Sequence, residues 1–585
     1  MKKVIKNLIR EALKNLNIED VDFVVEHPED LENGDYSTNV AMVCAKNMGA
    51  NPKELAEKIV SELRSNLKNS KRFDLGEISK IEVAGAGFIN IYLSPKFFRG
   101  SIEEILNNKK FAQNHLFSGQ KIMIEYTDPN PFKPFHIGHL MTNAIGESVA
   151  RILESSGATV FRANYQGDVG LHVAKAIWGL RKRGLPNPDF STAAKANYIG
   201  ECYSLGAGEY EPIYLGDAEK ESPAKKEIDA INKKIYDHSD KKINAIYDWG
   251  FKVTMEAFED LYKILGTKFD FYFLESQMAP IGEGIVKDNL GKVFEESDGA
   301  IVFKAEKHDP KLHTRVFITS QNLPMYETKE LGLTIEKFKT KPDLDFSIVV
   351  TANEQADYMR VVARALSLIY PKYTDKMKHI THGMMRLSSG KMSSRKGNVV
   401  TGELLIRDTI DLVSERLKDH DWDEEQKNKI AEQVGVAAIK YSILKQSISG
   451  DIMYDFEKSI SFEGDSGPYL QYSYARANSV IEKAKKENIL PDPHIQDTPV
   501  EVFEIEKMLY RFPEVVLRSA SEYEPHYIAN YLIEIARAFN SFYGNNIIVN
   551  KEDKNSSYFV ALTYAFTFVL KKGLHLLGIE APEKM

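Results

Sequence analysis

The sequence predicts a multidomain α/β protein with a parallel sheet, and three observations support this fold class. The chain has 585 residues, which at about one domain per ~150 residues indicates three or four domains. Residues 121–163 have the pattern of a βαβ unit, in which two parallel strands are joined by a helix. Beyond about residue 440 the pattern becomes helical. The chain therefore combines a parallel sheet with separate helical parts.

The βαβ unit begins with a short apolar run at residues 122–124, which is typical of a buried strand. Apolar residues then recur at three- and four-residue spacing over residues 137–153, which predicts a helix with one buried face. Gly157 is placed to end that helix. Residues 158–163 supply the next strand.

The loop between the first strand and the helix is rich in proline. Pro129, Pro131 and Pro134 stiffen it, and Asp128 and Asn130 can close it with side-chain hydrogen bonds to the backbone. The first turn of the helix that follows has free backbone N–H groups and the positive end of the helix dipole. The loop and helix together predict an anion-binding turn.

Two histidines lie at that turn. His136 and His139 flank Gly138, and their spacing of three places both imidazoles on one side of the helix. Gly138 has no side chain and lets an adenine ring or a phosphate approach the backbone. A zinc site is the alternative, but no third ligand has a matching local spacing. The pattern favours nucleotide binding.

Composition excludes some classes of protein. The 43% hydrophobic fraction is ordinary for a globular protein. The net charge of −8 by itself argues against nucleic-acid binding, although a local basic surface would be sufficient. Cys44 and Cys202 are too few for a disulfide framework, which indicates a reducing compartment. No segment has the length and hydrophobicity of a membrane span or a secretory signal. We expect a cytoplasmic protein.

The string HIGH at residues 136–139, preceded by PNPFKPF, resembles the first signature of the class I aminoacyl-tRNA synthetases. Their second signature, a mobile lysine loop, is similar to GMMRLSSGKMSSRKGNVV at residues 383–400. Within it Lys391, Met392 and Ser393 match the family's KMS, and a lysine there is a point charge for a leaving pyrophosphate. A solvated basic loop is the alternative for the second string alone.

Further segments include ENGDYSTNVAM (32–42), VAGAGFINIYLS (83–94), NLPMYETKELGL (322–333) and FEGDSGPYLQYSYARANSVI (462–481). They resemble the arginyl-tRNA synthetases in particular, and the resemblance spans nearly the whole chain. The resemblance implies a small α+β N-terminal tRNA-binding domain at 1–115 and a Rossmann-like catalytic domain at 116–375, with a connective insertion at about 180–310. It also implies a lysine-loop and stem-contact region at 376–440 and an all-α anticodon-binding domain at 441–585.

The resemblance also implies roles for individual residues. The expected catalytic residues are His136, His139, Lys391 and Lys133, the last because its stem can reach the triphosphate from three residues before His136. Expected ATP-binding residues are Pro129, Asn130, Pro131, Phe132, Pro134, Phe135, Ile137, Gly138, Met392, Ser393 and Ser394. Expected arginine-binding residues are Glu125, Thr127, Asn130, Tyr326, Glu330 and Gln355. No resident metal site is expected.

Several positions depart from the family pattern, among them Tyr165, Val169 and His172 in NYQGDVGLHVAK (164–175). Glu330 stands where aspartate is usual, Thr351 replaces a glycine, and Ser394 occupies the end of the KMS string, where a second lysine is usual. Glu330 has one more methylene than aspartate, which predicts a wider pocket or a changed approach to the substrate. A structural salt bridge with Lys329 or another neighbour is the alternative for Glu330.

The activity that the resemblance implies is an arginine–tRNA ligase reaction. The arginine carboxylate attacks the α-phosphorus of ATP, His136, His139, Lys391 and Mg²⁺ neutralise the pyrophosphate, and the 2′ hydroxyl of the terminal tRNA adenosine then takes the arginine. We expect arginine tRNA, L-arginine and ATP as partners, tRNA bound before activation, and a monomer. Alternatives are a small-molecule nucleotidyltransferase, a catalytically silent tRNA-binding paralogue, and a synthetase for another amino acid.

Overall fold

A computed structural model of the protein describes residues 1–69, 77–211, 213–215, 218–220, 222–388, 401–494 and 502–585. The chain forms two compact units. Unit one contains residues 1–111, 476–513 and 534–570, and unit two contains residues 112–475, 514–533 and 571–585. The units therefore do not coincide with the predicted boundaries at 115 and 441, because helices far along the chain group with the N-terminal residues.

The N-terminal part of unit one is an antiparallel sheet with helices. Its elements are α1 (Lys2–Asn15), β1 (Val25–Glu26), β2 (Tyr36–Thr38), α2 (Val40–Met48), α3 (Pro52–Asn69), β3 (Ile78–Ala84), β4 (Phe88–Leu93) and α4 (Pro95–Asn107). The strand order is β1-β2-β4-β3. Asn51 caps α3, since its Oδ1 accepts the Lys53 N–H at 2.9 Å. The predicted α+β character is confirmed.

Unit two begins with the predicted βαβ unit and continues through an alternation of strands and helices. Its elements are β5 (Lys121–Glu125), α5 (Ile137–Ser155), β6 (Thr159–Gln166), α6 (Leu171–Arg183), α7 (Thr192–Tyr210), β7 (Ile213–Leu215), β8 (Ala218–Lys220), α8 (Pro223–Asp237), α9 (Lys241–Ile264), β9 (Phe271–Leu274), α10 (Glu275–Asp288), β10 (Glu295–Ser297), β11 (Ala300–Phe303), β12 (Arg315–Ile318), α11 (Tyr326–Thr340), β13 (Phe346–Ala352), α12 (Ala356–Ile369), β14 (Met377–His382), β15 (Met385–Leu387), α13 (Gly402–Arg416), α14 (Glu424–Leu444), β16 (Ile452–Tyr454) and α15 (Phe456–Ser459).

The remaining elements are helices. They are α16 (Gly467–Lys486), α17 (Glu504–Leu509), α18 (Phe512–Glu522), α19 (His526–Asn545) and α20 (Ser556–Leu576). The helical character of this part of the chain is confirmed. The boundary at 441 needs a correction, because β16 is a strand that pairs in parallel with β15.

The main sheet of unit two has the order β14-β13-β5-β6-β9, and every neighbouring pair is parallel. The predicted parallel sheet is confirmed. Strand β9 lies inside the range 180–310 that we predicted for the insertion, and strand β14 lies beyond residue 375. β9 and β14 are the two edge strands of this sheet and have four and six residues, which is too short for a periodic pattern to identify them from the sequence.

Helix α5 is enclosed on nearly all sides, whereas the sequence predicted one buried face. Every residue from His139 to Ala150 is buried, because the helix lies between the sheet and helices α13 and α14. Chain far downstream completes the enclosure. Ser148 Oγ donates to the Leu576 carbonyl at 2.9 Å, and Arg151 donates to the His575 carbonyl at 3.0 Å.

A second contact between distant segments lies beside α5. The buried Lys440 ammonium donates to the carbonyls of Leu265 and Gly578, both at 2.6 Å. It therefore satisfies backbone groups at the ends of α9 and α20. Across the described ranges, each helix is either too short or too polar to cross a membrane.

Candidate active site

The strands of the main sheet end at a cavity of about 290 Å³, here called the main cavity. Glu125 ends β5, Gly167 follows β6, Glu275 follows β9, and His382 ends β14, and all four line it. Strand β5 is the first strand of the sheet. The strands β6 and β9 are added on one side of it, and the later strands β13 and β14 are added on the other side, so the strand order reverses at β5. Ligands of open parallel sheets bind at such a switch point.

The proline-rich loop after β5 has an unusual backbone. Thr127, Asp128 and Phe132 have φ values of 80°, 47° and 65°, a region that side chains other than glycine rarely adopt. As predicted, Asp128 and Asn130 fasten the loop: their side chains accept the backbone N–H groups of Tyr165 at 2.7 Å and Gly167 at 2.9 Å. The strained loop is thereby tied to the end of β6.

His136 and His139 form a stacked pair at the start of α5. Their ring centroids are 3.4 Å apart. Each Nδ1 accepts the backbone N–H of the other residue, at 3.4 Å for His136 and 3.2 Å for His139. A Cβ on Gly138 would lie 2.9 Å from the His136 ring, so glycine permits the stacking. The predicted placement on one side of the turn is confirmed.

The protonation state of these histidines follows from their contacts. Because each Nδ1 is an acceptor, the neutral ring carries its proton on Nε2 and presents an N–H donor. Loss of hydration and the nearby Lys133 ammonium lower the pKa of His136 to about 4, and loss of hydration also holds the pKa of His139 well below its usual value. The predicted role of both histidines in neutralising the pyrophosphate stays a prediction, for which each ring offers an Nε2–H donor.

The predicted ATP-binding residues differ in burial and in whether they line the main cavity. Asn130 and Gly138 line the main cavity. Pro129, Pro131, Phe132 and Phe135 are buried, which does not fit a direct contact with ATP. Instead their side chains hold the loop, and Phe132 stacks on Tyr247 with centroids 5.8 Å apart. Pro134 and Ile137 are half-buried and do not line the cavity. Lys391, Met392, Ser393 and Ser394 lie outside the described residues.

Lys133 is not a fully solvated loop lysine. Its side chain is half-buried, with Nζ 5.4 Å from the Tyr203 ring centroid. Loss of hydration, and then Lys175, lower its pKa, and its charge influences both His136 and His139. It does not line the main cavity, so a contact with a triphosphate would require its flexible stem to reorient.

We expect Lys133→Ala to slow single-turnover adenylate formation by roughly tenfold, since it removes one charge-assisted contact. Lys175→Ala, which removes a nearby lysine whose Nζ lies 4.3 Å from the Tyr210 ring centroid, is the matched control and should have little effect. The rate is measured by rapid quench with saturating ATP. An unchanged rate in Lys133→Ala would show that this lysine has only a structural role.

All six predicted arginine-binding residues line the main cavity. Thr127 Oγ1 accepts the Asn143 amide at 3.1 Å, and Gln355 Oε1 accepts the Tyr358 hydroxyl at 2.7 Å. Tyr326 begins α11 and exposes 60% of its surface. The structure therefore brings together residues that are separated by up to 230 positions in the chain.

Glu125 has a partner that the sequence did not indicate. Its carboxylate lies 2.5 Å from the Lys337 ammonium, and both side chains are buried. Lys337 is on α11, seven residues after Glu330, and so lies on the same face of that helix. This pair fixes α11 to the end of β5.

Glu330 is the carboxylate without such a partner. Within the described part of the chain, no ion pair or side-chain hydrogen bond reaches its carboxylate. The alternative of a bridge to Lys329 is wrong, because Lys329 pairs with Glu275 at 2.6 Å. Loss of hydration, reinforced by the Glu125 carboxylate, raises the pKa of Glu330 to about 8.

Glu275 is the functional residue that the sequence analysis missed. It is buried at the first position of α10, directly after β9, and lines the main cavity. Its partner Lys329 lies with Nζ 5.1 Å from the Tyr326 ring centroid. The available signal was an acid directly after the aromatic run at 271–274, but this strand was not recognised as part of the sheet.

Thr351 lines the cavity near the carboxyl end of β13. Its hydroxyl lies 2.7 Å from Nε2 of His379 on the neighbouring strand. Loss of hydration lowers the pKa of His379 to about 4. The departure from glycine at this position is therefore accompanied by a neutral hydrogen-bonding partner.

Three protein-family models match successive parts of the chain. Residues 3–93 match the model "Arginyl tRNA synthetase N terminal domain", residues 101–456 match "tRNA synthetases class I (R), catalytic domain", and residues 470–585 match "DALR anticodon binding domain". The chain is 32% identical to the arginine–tRNA ligase of Fusobacterium nucleatum, over 99% of this chain and 97% of the relative.

A second relative, the arginine–tRNA ligase of Clostridium perfringens, is 29% identical over 99% of this chain and 100% of its own length. Among solved structures, the Thermus thermophilus arginyl-tRNA synthetase has a similar fold, with a TM-score of 0.80, 23% identity and full coverage of both chains. The catalytic-domain model alone covers more than half of the sequence. The chain therefore belongs to the arginyl family of class I tRNA synthetases.

Proposed function

We propose that the protein is an arginine–tRNA ligase. It activates L-arginine with ATP to arginyl-adenylate and pyrophosphate and transfers the arginine to the terminal adenosine of its tRNA. Membership of the arginyl family supports the reaction class. The observation that carries the choice of arginine is the acidic lining of the main cavity.

Four carboxylates line the main cavity: Glu125, Asp128, Glu275 and Glu330. Lysines balance two of them, since Lys337 pairs with Glu125 and Lys329 pairs with Glu275. A cationic substrate is the group that such a cavity lacks. A guanidinium is planar, permanently charged and weakly hydrated, and can meet a carboxylate with two parallel hydrogen bonds. An uncharged amino acid would offer the Glu330 carboxyl no ionic partner.

The residues of the cavity then have distinct roles. Glu330 receives the guanidinium, and Tyr326 covers its face at the mouth of the cavity. Asn130, Thr127 and Gln355 position the amino acid. The reaction needs no general base, because the arginine carboxylate is itself the nucleophile; positioning and charge stabilisation are sufficient. The Nε2–H groups of His136 and His139 donate to the phosphate oxygens as charge develops on them.

Several finer expectations remain predictions. Mg²⁺ is expected with ATP, but no group of three or more potential ligands among the described residues is arranged as a metal site. In nucleotide-dependent enzymes Mg²⁺ is commonly held largely by substrate phosphates. A requirement for bound tRNA, a monomeric state and a cytoplasmic location are also retained as predictions from the family resemblance.

The test of the proposed function is amino-acid-dependent pyrophosphate exchange with each of the twenty amino acids, with and without total tRNA. We expect exchange with arginine alone, and we expect it to depend on tRNA. Exchange with another amino acid would contradict the choice of arginine. The absence of exchange with every amino acid in the presence of tRNA would contradict the reaction itself.

Arginine binding is expected to release up to one proton near neutral pH. With a pKa of about 8, the free Glu330 carboxyl is largely protonated at neutral pH. A bound guanidinium favours the ionised form. As pH falls below about 8, the KM for arginine should therefore rise by up to ~10-fold per unit. Calorimetric titration in buffers of different protonation enthalpy measures the released proton directly.

The effect of the same group on stability has the opposite direction. The pKa of Glu330 is raised from an ordinary value of 4.5, so its stabilising contribution is complete below that value and is lost as pH rises through about 8. Lys337 opposes the shift, whereas Glu275 and Glu327 add to it. Glu330→Gln should abolish both dependences. A wild-type arginine KM that does not change over this range would contradict the assignment.

A further inference from the structure

A second cavity, of about 80 Å³, lies directly behind the main cavity. Glu330, Val349 and Met359 line both cavities. These three side chains, from α11, β13 and α12, therefore form a common wall. The wall contains the carboxylate that we assign to the guanidinium, so the second cavity lies beyond the far end of the bound substrate.

The other walls of the second cavity are largely apolar. Thr334 follows Glu330 by one helical turn on α11, and Val362 and Leu366 follow Met359 at three and seven residues on α12. Met377 and His379 complete it from β14. His379 is neutral, because loss of hydration lowers its pKa to about 4.

The ammonium group of the one lysine in this lining lies against an aromatic ring. Lys378 contributes to the wall, but its Nζ lies 4.0 Å from the Tyr523 ring centroid. Apart from Glu330, the groups that face the cavity are thus uncharged or aliphatic. Such a space favours an alkyl group and disfavours a charged one.

We propose that the second cavity is a subsite for an alkyl substituent on the terminal guanidinium nitrogen, so that Nω-alkyl-L-arginines are substrates of this enzyme. The inference rests on the proposed function and extends its substrate class. A carboxylate fork engages two N–H groups of the guanidinium and leaves the others free. A substituent on a free nitrogen reaches the common wall, where the flexible Met359 side chain can move aside.

The volume sets the size of the substituent. A cavity volume of ~10–15 Å³ holds one water molecule. The second cavity, of about 80 Å³, therefore accommodates an ethyl or propyl group. If the wall were closed, one added methylene alone would lower kcat/KM by ~10- to 200-fold. An open wall and a closed wall therefore predict different kcat/KM values for analogues of increasing alkyl length.

The experiment measures tRNA-dependent pyrophosphate exchange with L-arginine and with its Nω-methyl, Nω-ethyl and Nω-propyl derivatives. We expect kcat/KM for the ethyl and propyl compounds to remain within about tenfold of arginine. Losses above about 10²-fold with normal arginine activity would overturn the subsite and leave the proposed function intact. An inactive enzyme with arginine would instead contradict the proposed function.

Two variants test whether the alkyl group of the analogue binds in the second cavity. Val362→Leu enlarges a side chain that lines only the second cavity. It should lower kcat/KM for the propyl compound by at least about tenfold and keep arginine within threefold. Val361→Leu makes the same change at the neighbouring buried residue, which lines neither cavity. It should change kcat/KM by the same factor for arginine and for the propyl compound. Equal effects of the two variants on the propyl compound would overturn the proposal. If Val362→Leu does not fold, the analogue series on the wild type decides alone.

Discussion

Glu330→Gln is expected to raise the KM for arginine by at least ~10²-fold and to leave the KM for ATP within a few-fold. The substitution retains the shape of the side chain but removes the charge that meets the guanidinium. Glu330 is suited to this role because, among the described residues, no lysine or arginine pairs with its carboxylate. The measurement is steady-state pyrophosphate exchange with each substrate varied in turn.

The matched control is Glu327→Gln, the same change one turn earlier on α11. Glu327 is buried and pairs with Arg315 at 3.3 Å, and it does not line the main cavity. Glu327→Gln should leave the arginine KM near the wild-type value. Equal losses for arginine and ATP in Glu330→Gln would indicate misfolding. No loss for arginine would move guanidinium recognition to another acid, with Glu125 and Glu275 as the remaining candidates.

His139→Ala is expected to slow adenylate formation by about 10²-fold, with arginine binding near normal. The lost group is the Nε2–H donor, whose interaction strengthens as negative charge moves to the pyrophosphate. Because the ring is neutral in the free enzyme, its loss removes a hydrogen bond rather than a full charge. Single-turnover kinetics at saturating substrates measure this step.

His139 also accepts the His136 N–H at the start of α5, so His139→Ala has a structural effect as well. His139→Asn separates the two effects, since its side-chain oxygen can take the place of Nδ1 while no donor reaches the position of Nε2. Only His139→Ala should lose ~0.5–2 kcal/mol of stability from the helix cap, and both variants should be slow. A normal rate in His139→Asn would restrict His139 to the capping role.

The sequence was sufficient to predict β5, the proline-rich loop and α5 because their signals are local. Apolar spacing identifies the helix, and the string at 136–139 identifies its first turn. The residues of α11 also came from a local string. Their meeting with Glu125 in one cavity followed from the family resemblance and not from periodicity.

Other features could not be predicted because they depend on tertiary packing. The aromatic strand β9 is too short to show a period, and Glu275 was missed with it. The pairing of Glu125 with Lys337 joins residues 212 positions apart. The burial of α5 on nearly all sides depends on α13, α14 and residues 575–576, none of which affects the pattern of the helix itself.

The contact of Ser148 with Leu576 has a consequence for biosynthesis. The two residues are 428 positions apart, so a ribosome that has just completed α5 must translate all the intervening residues before that hydrogen bond can form. Until then the buried surface of α5 lacks part of its cover, and such exposed apolar surface promotes aggregation. The cover of α5 should therefore be completed late in translation, and chaperones are expected to bind the nascent polypeptide before that point.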